Sequence, residues 1–155
     1  MTEPKWLSPA AFERLTAELE SLKRDGRVLI AERLAVARSH GDIRENSDYE
    51  AAKNEQGMLE ARIRQLTYVL EHAQVSEASE SGVVAVGSVV TVRTEDDEVL
   101  ELLLASAENK MEGLRTTSPT SPLGSALLGA GVGDEVAYTA PGGKFKVTVE
   151  SIRPL

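Results

Sequence analysis

The residues best suited to chemistry form a short acidic turn between two long helical patterns. This turn, called the tip here, runs from Gly41 to Tyr49 and carries carboxylates at Asp42, Glu45 and Asp48. Its neighbours offer no apolar cover for these charges. If the second helix begins at Asp42, the side chains of Asp42 and Glu45 lie on one side of that helix, within reach of a single ion.

Two carboxylates with bound water can hold Mg²⁺, which prefers six oxygen ligands and often takes some of them from substrate phosphates. Such a site is weak alone. Inserted into an enzyme that already holds one Mg²⁺, Asp42 and Glu45 could recruit a second ion and its water for in-line attack on a phosphodiester.

The alternative, which the spacing alone favours, is a capping box in which Asp42 accepts from amides of the first helical turn and Glu45 bonds back. The two interpretations are compatible, because capping also fixes the carboxylates relative to each other. Asp48 and Glu50 are interpreted as solvated charges on the helix surface, with Asp48 a lesser candidate as an auxiliary ligand.

Apolar spacing predicts that residues 1–75 form an antiparallel two-helix coiled coil with the tip at its end. Ser8 and Pro9 are typical of a helix start, and Gly41 predicts the end of the first helix. Each arm of about 30 residues would be on the order of 45 Å long. Gly26 occupies one position of the seam. The other inward residues are expected to be Phe12, Leu15, Leu19, Leu22, Leu29 and Leu34, and in the second arm Ala52, Gln56, Leu59, Ile63, Leu66, Leu70 and Ala73.

Beyond Val75 the periodicity changes, and residues 76–82 are predicted to be a polar linker. Residues 83–155 favour a small domain of sheet plus helix, which makes the fold class α+β. Ser121 and Pro122 predict a capped short helix on that sheet, and Pro141-Gly142-Gly143 predicts the turn between the last two strands. Strand-like runs lie at 83–92, broken at Gly87, and at 99–105, 135–139 and 144–152.

Composition narrows the function. The chain has no cysteine, which excludes disulfides and thiolate metal sites, and no segment resembles a signal peptide or a membrane span; we therefore expect a cytoplasmic protein. The net charge is −8, with 11 basic and 13 acidic residues up to residue 75 and 6 and 12 beyond it. Autonomous binding to nucleic acid is disfavoured because the chain lacks a basic footprint. A protein partner is expected instead.

The tip resembles the signature of the bacterial Gre transcript cleavage factors, a likeness that continues from Gly41 to Lys53 and on to Gln56 and Gly57. It covers nearly the whole chain. In the second domain the similar segments are Gly87-Ser88-Val89-Val90, Ser121-Pro122-Leu123-Gly124, Ala126-Leu127-Leu128-Gly129, Val132-Gly133-Asp134-Glu135 and Pro141-Gly142-Gly143.

The resemblance implies that the coiled coil enters the secondary channel of bacterial RNA polymerase, while an FKBP-like second domain docks at the channel's rim. The client is a backtracked elongation complex. Asp42 and Glu45 would help to hold the second Mg²⁺ and activate water, so that the polymerase itself cleaves the extruded RNA 3′ segment. The protein would thus be an accessory to catalysis and not an enzyme, and a monomer, because the hairpin already satisfies the seam.

Other residues also match the family, but each of them has an alternative interpretation. Asn46 and Tyr49 would orient the tip or touch RNA, although a tyrosine beside a seam is as often only packed. The resemblance further implies that Arg38, Arg44 and Lys53 attract RNA phosphates and that Ser121, Pro122 and Leu123 form the polymerase-docking loop. Solvated surface charge and the helix cap described above are the respective alternatives.

Two other functions stay open. A Gre-like regulator could occupy the same channel and inhibit synthesis without promoting cleavage. A peptidyl-prolyl isomerase or chaperone on the FKBP-like domain would need an aromatic pocket, for which that domain offers only Tyr138 and Phe145.

Overall fold

The computed structural model describes residues 5–41, 47–78 and 80–155. They form two compact units: a helical unit, Phe12–His72, and a sheet unit made of the described residues up to Ala11 and those from Ala73 onwards. The predicted α+β class, with a helical hairpin and a mixed sheet, is confirmed. The observed division differs from the predicted one at both ends of the coiled coil, because residues 5–11 and Ala73–Val75 belong with the sheet unit.

The helical unit is built from α1 (Pro9–Ser21), a π-helical turn (Leu22–Gly26), α2 (Arg27–Arg38) and α3 (Ser47–Glu71). Ser8 caps α1 as predicted, because its hydroxyl oxygen accepts a hydrogen bond of 3.1 Å from the amide of Ala11. The first arm ends at Arg38, and Gly41 has a φ of 112°, in the left-handed region that favours glycine.

The predicted seam is confirmed at Leu15, Leu34, Ala52, Ile63 and Leu66, all of which are buried. The assignment of Leu29 is wrong: its side chain is 61% exposed, and Ile30 is buried instead. The π-turn explains the shift. There the amide of Arg27 donates to the carbonyl of Leu22, five residues earlier, so this turn contains one residue more than an α-helical turn.

Ion pairs between described residues join the two arms of the hairpin. Arg27 donates two hydrogen bonds, of 2.9 and 3.0 Å, to the Glu60 carboxylate, and Arg62 donates two, of 3.0 and 3.2 Å, to the Glu18 carboxylate. Arg33 pairs with Glu55. Exposed pairs of this kind contribute little stability each, but the two-pronged geometry favours one register of the arms.

The described residues of the sheet unit form seven strands: β1 (Lys5–Leu7), β2 (Ala73–Val75), β3 (Ser88–Thr94), β4 (Val99–Leu104), β5 (Arg115–Thr117), β6 (Glu135–Ala140) and β7 (Gly143–Pro154). β1 and β2 form a parallel pair. The other five form a sheet in the order β5-β4-β3-β7-β6, in which only β4 and β5 are parallel. The helix α4 (Pro122–Leu127) and a 3₁₀ turn (Ala107–Asn109) complete the unit.

The central strand β3 is buried on both faces. Val90 and Val92 belong to the main core, which Leu127 of α4 also enters. Val89 belongs to a second cluster on which Trp6 and the C-terminal Leu155 pack. The chain's two ends therefore help to cover this sheet.

A buried asparagine anchors the start of the chain within the sheet unit. Asn109 is 1% exposed; its side-chain oxygen accepts from the amide of Ser8 at 2.8 Å, and its side-chain nitrogen donates to the carbonyl of Trp6 at 3.0 Å. The Trp6 indole nitrogen in turn donates to the Ser76 carbonyl at 3.1 Å. These bonds explain why residues 5–11 join the sheet unit.

Over residues 5–41, 47–78 and 80–155, none of the helices combines the length and the apolar character that crossing a membrane requires.

Two helical glycines allow a matched test of the seam. An alanine Cβ at Gly57 would meet nothing within 4 Å, whereas one at Gly26 would lie 3.1 Å from Cδ1 of Leu59. Gly57→Ala is expected to raise the free energy of unfolding by about 0.5–1 kcal/mol, because alanine removes the entropic penalty of glycine in a helix. Gly26→Ala should gain less, since Leu59 must move. Urea unfolding followed by circular dichroism measures both, and equal gains would show that Leu59 does not press on Gly26.

Candidate functional site

Four of the predicted tip residues, Asp42, Arg44, Glu45 and Asn46, lie outside the described residues. The structure places what flanks them. Arg38 is the last residue of α2, and the described part of α3 begins at Ser47. The predictions for these four residues and for a helix start at Asp42 therefore stay predictions.

Arg38 and Tyr49 are brought together where the two arms approach the tip. The guanidinium carbon of Arg38 lies 5.7 Å from the centre of the Tyr49 ring, within the range of a cation–π contact. A hydrogen bond from Arg38, and more weakly the positive charges of Arg38 and Lys53, lower the pKa of the Tyr49 hydroxyl from its ordinary value of 10.0. Arg38 is thus engaged with this ring.

The Tyr49 ring is also half-buried. It packs against the apolar cluster of Ile30, Leu34 and Ala52, which joins α2 to α3. Packing of Tyr49 is therefore compatible with a part in orienting the tip. Apolar side chains contact the ring, and Arg38 lies over its face.

The Arg38–Tyr49 contact predicts a measurable titration. Arg38→Gln should raise the pKa of Tyr49 toward 10.0, because it removes the hydrogen bond and the charge that favour the phenolate. A folded-state pKa below the ordinary value adds stability as pH rises through that folded-state pKa toward 10.0, and this contribution is lost as pH falls.

Absorbance of the phenolate band, with Tyr68 and Tyr138 replaced by phenylalanine, reports Tyr49 alone. Arg24→Gln is the control, since it removes the same charge from the first arm in a different place. An unchanged midpoint in Arg38→Gln would contradict the contact.

The other described residues near the tip are exposed. Lys53 donates a hydrogen bond to the Gln56 side-chain oxygen at 3.3 Å. Asp48 and Glu50 lie in the first turn of α3, where the helix dipole stabilises negative charge. An open groove of about 590 Å³ runs along this part of α3. Its lining includes Ser47, Tyr49, Glu50, Ala51, Lys53 and Asn54.

Within the described ranges, no three histidine or acidic side chains are grouped so that they could hold a metal ion. Asp48 and Glu50 therefore belong to no such group of three within those ranges. A metal site built around Asp42 and Glu45 is left untested by this finding, because both lie outside those ranges.

Hydrogen bonds of the Ser121 side chain hold the predicted docking loop. The Ser121 hydroxyl donates to the Ser118 carbonyl at 2.7 Å and accepts from the Gly124 amide at 3.0 Å, which confirms the predicted cap of α4. Pro122 is exposed at the first helical position. Leu123 is half-buried against the main core, so only part of it is open to a partner.

Two positions that the sequence analysis did not single out fix this loop. A Cβ added to Gly124 would lie 1.9 Å from the Ser118 carbonyl oxygen, so only glycine fits without a shift of the backbone. Ser118 and Ser121 each precede a proline, and this repeated Ser-Pro spacing is the signal that could have drawn attention to Ser118.

The aromatic residues considered for an isomerase pocket contact each other. Tyr138 and Phe145 are cross-strand neighbours on β6 and β7, and their rings stack with centroids 5.5 Å apart. Stacking on each other covers part of the aromatic surface that a prolyl substrate would need.

Comparisons with known proteins cover both units. Residues 5–75 match the family described as transcription elongation factor, N-terminal, and residues 78–154 match the C-terminal family of transcription elongation factors GreA/GreB. The chain is 49% identical over 142 residues to the transcription elongation factor GreA of Streptomyces coelicolor, covering 90% of this chain and 86% of that protein. It is 46% identical over 159 residues to GreA of Mycolicibacterium smegmatis, covering 99% and 96%.

Among solved structures, the chain is similar to GreA factor homolog 1 (Gfh1) of Thermus thermophilus, with 31% identity, coverage of 97% and 99% of the two chains and a TM-score of 0.46. The two family matches and the GreA sequences confirm the resemblance that the tip motif indicated. This chain belongs to the GreA/GreB family of transcription elongation factors.

Proposed function

We propose that this elongation factor enters the secondary channel of bacterial RNA polymerase and stimulates the polymerase's own cleavage of backtracked RNA, which rescues arrested complexes. The observation that carries the proposal is the tip motif with both Asp42 and Glu45, in a chain of the GreA/GreB family. The factor acts as an accessory, because its two carboxylates need a metal and a substrate that another protein holds.

Asp42 and Glu45 are the residues that would hold Mg²⁺. Carboxylate oxygens are the donors that Mg²⁺ prefers, so the chemistry of the pair fits the ion, whereas two ligands fall short of the six it needs. The polymerase and the RNA phosphates would supply further ligands to the ion. When bound, the ion lowers the pKa of a water molecule and neutralises charge on the scissile phosphate.

The described residues around the tip support this role. The Arg38–Tyr49 contact joins the end of α2 to the first described turn of α3, on either side of the sequence segment that contains Asp42 and Glu45. Lys53, with Arg44 and Asn46, would meet the nascent RNA 3′ end. The positive charges of Lys53 and Arg44 suit phosphates.

Affinity would come mainly from the sheet unit, for which an FKBP-like fold is proposed. Its docking loop presents Pro122 to solvent and holds it through the Ser118–Ser121–Gly124 bonds. A protein partner agrees with the net charge of −8, which disfavours independent binding to RNA or DNA. The factor would act in the cytoplasm as a monomer, because the buried seam residues of the two arms pack against each other.

The test uses purified, backtracked polymerase with labelled RNA and Mg²⁺. Addition of the factor should shorten the RNA from its 3′ end and restore elongation. Slower elongation without shortened RNA would instead identify a channel-blocking regulator. Proline-isomer turnover by residues 76–155, with no effect on the polymerase, would favour the isomerase.

A further inference from the structure

The first arm of the hairpin carries a heptad row that leaves the seam halfway along. Leu15, Leu22, Leu29 and Val36 follow one another at intervals of seven. Leu15 is 2% exposed, but Leu29 is 61% and Val36 58% exposed. The sequence therefore continues a seam that the structure does not use beyond Leu22.

A second row takes over after the π-turn. Ile30, Leu34 and Ala37 are buried; Ile30 and Ala37 each lie one residue beyond a position of the first row, and Leu34 lies one residue beyond Arg33. One residue turns an α-helix by about 100°. Because the π-turn (Leu22–Gly26) holds one extra residue, it determines which of the two rows faces α3.

We propose that α2 can exchange the two rows against α3, by losing the π-turn and rotating about 100° around its own axis. In the rotated state Leu29 and Val36 enter the seam, and Ile30, Leu34 and Ala37 leave it. In the rotated state the seam residues of α3 therefore cover the row that is now exposed. The continuity of this row with Leu15 and Leu22 supports α3 as its partner.

Arg33 sets the balance between the two states. In the uninterrupted row it would occupy the seam between Leu29 and Val36, where burial of its charge is unfavourable. In the observed state it points to solvent and pairs with Glu55 of α3. An open groove of about 400 Å³ on this face is lined by Leu29, Val36 and Ala37 and also by the polar or charged side chains of Glu32, Arg33, His40 and Asp48. The sequence thus retains a second apolar face that one charged residue keeps out of the seam.

The rotation of α2 would also change the contact between Arg38 and Tyr49 beside the tip. Arg38 follows Ala37 directly, so the turn that releases Ala37 carries Arg38 away from the ring of Tyr49. This consequence for activity rests on the proposed function, whereas the rotation itself concerns the hairpin alone.

Replacing Arg33 with leucine tests the exchange, because it completes the first row. Arg33→Gln is the matched control, since it breaks the same ion pair with Glu55 without adding an apolar residue. The chain has no cysteine, so a single cysteine at Val36 or Ala37 can be labelled cleanly with a thiol reagent. Circular dichroism checks that each variant remains helical.

Relative to Arg33→Gln, Arg33→Leu should slow the labelling of Val36→Cys and speed that of Ala37→Cys, each by roughly tenfold. Unfolding cannot produce this pattern, because it exposes both positions. Adding Leu29→Ser should return both rates to those of the control. Any other pattern, including faster labelling at both positions or no change at either, overturns the proposal.

A second readout separates this proposal from the proposed function. If the factor stimulates cleavage, Arg33→Leu should lower the rate at saturating factor relative to Arg33→Gln, and Leu29→Ser should restore it. A lowered rate without the labelling pattern would contradict the rotation. Labelling needs no polymerase, so the rotation is tested even if cleavage is not stimulated.

Discussion

Replacing Asp42 with asparagine, or Glu45 with glutamine, is expected to lower stimulated RNA cleavage by roughly 100-fold or more. A metal ion contributes several kcal/mol to the stabilisation of such a reaction, and each 1.36 kcal/mol corresponds to a factor of about ten in rate. Binding to the polymerase should stay within about twofold, because the proposed docking loop of the sheet unit is expected to supply most of the affinity. Single-turnover cleavage at saturating factor and a binding titration measure the two effects separately.

The neighbouring carboxylates provide matched controls. Asp48→Asn and Glu50→Gln remove the same charge from the exposed first turn of α3, and each should leave the cleavage rate within about threefold of that of the unchanged protein. Equal losses in all four variants would mean that the tip acts only through its total charge. Loss of binding in Asp42→Asn or Glu45→Gln would assign affinity to the tip and end the proposed division of roles.

Gly124→Ala should disable the docking loop. The added Cβ would lie 1.9 Å from the Ser118 carbonyl oxygen, so the backbone of the loop must move and the cap of α4 by Ser121 must distort. Overpacking of this kind costs about 1–3 kcal/mol of stability. The concentration of factor needed for half-maximal cleavage should rise roughly tenfold, in line with about 1.4 kcal/mol of binding free energy. The rate at saturating factor should stay the same.

Ser125→Ala is the control for the docking loop, because it changes the next residue without adding volume near Ser118. Its hydroxyl is exposed and donates only to the Pro119 carbonyl at 3.2 Å, and we expect near-normal affinity. A Gly124→Ala protein with an unchanged melting temperature would show that the loop relaxes easily. Lower stability with unchanged affinity would move the docking surface to another part of the protein.

Heptad spacing predicted most of the helical unit but failed at Ala73, which lies in β2, and at Leu29, for a physical reason. Leu29 lies in register with Leu15 and Leu22, yet the π-turn moves Ile30 into the seam. No residue type marks such a turn in advance, because its cost is offset by the packing that follows. Here Arg33 favours the shift, since the shift keeps its charge out of the seam.

The sheet unit was predicted where its strands are long and missed where they are short. β3, β4, β6 and β7 lie within or close to the predicted runs. β1, β2 and β5 have three residues each, too few for an alternating pattern. Their positions depend on distant partners, as Asn109 shows by bonding to Trp6 and Ser8.

The candidate site was predicted from its motif and not from its geometry. The spacing of Asp42 and Glu45 allowed an ion site, whereas spacing alone favoured the capping interpretation. The structure adds the contact of Arg38 with Tyr49. That contact joins two helices, so it could not be inferred from spacing along either of them.

The most direct test of the central claim is the Mg²⁺ dependence of RNA cleavage in a purified, backtracked polymerase complex at saturating factor. If Asp42 and Glu45 complete a metal site, the unchanged protein should lower the Mg²⁺ concentration required for half-maximal cleavage. The Asp42→Ala/Glu45→Ala variant should bind the polymerase but give the dependence seen without factor. The same Mg²⁺ dependence for the unchanged protein and the double variant would contradict the claim.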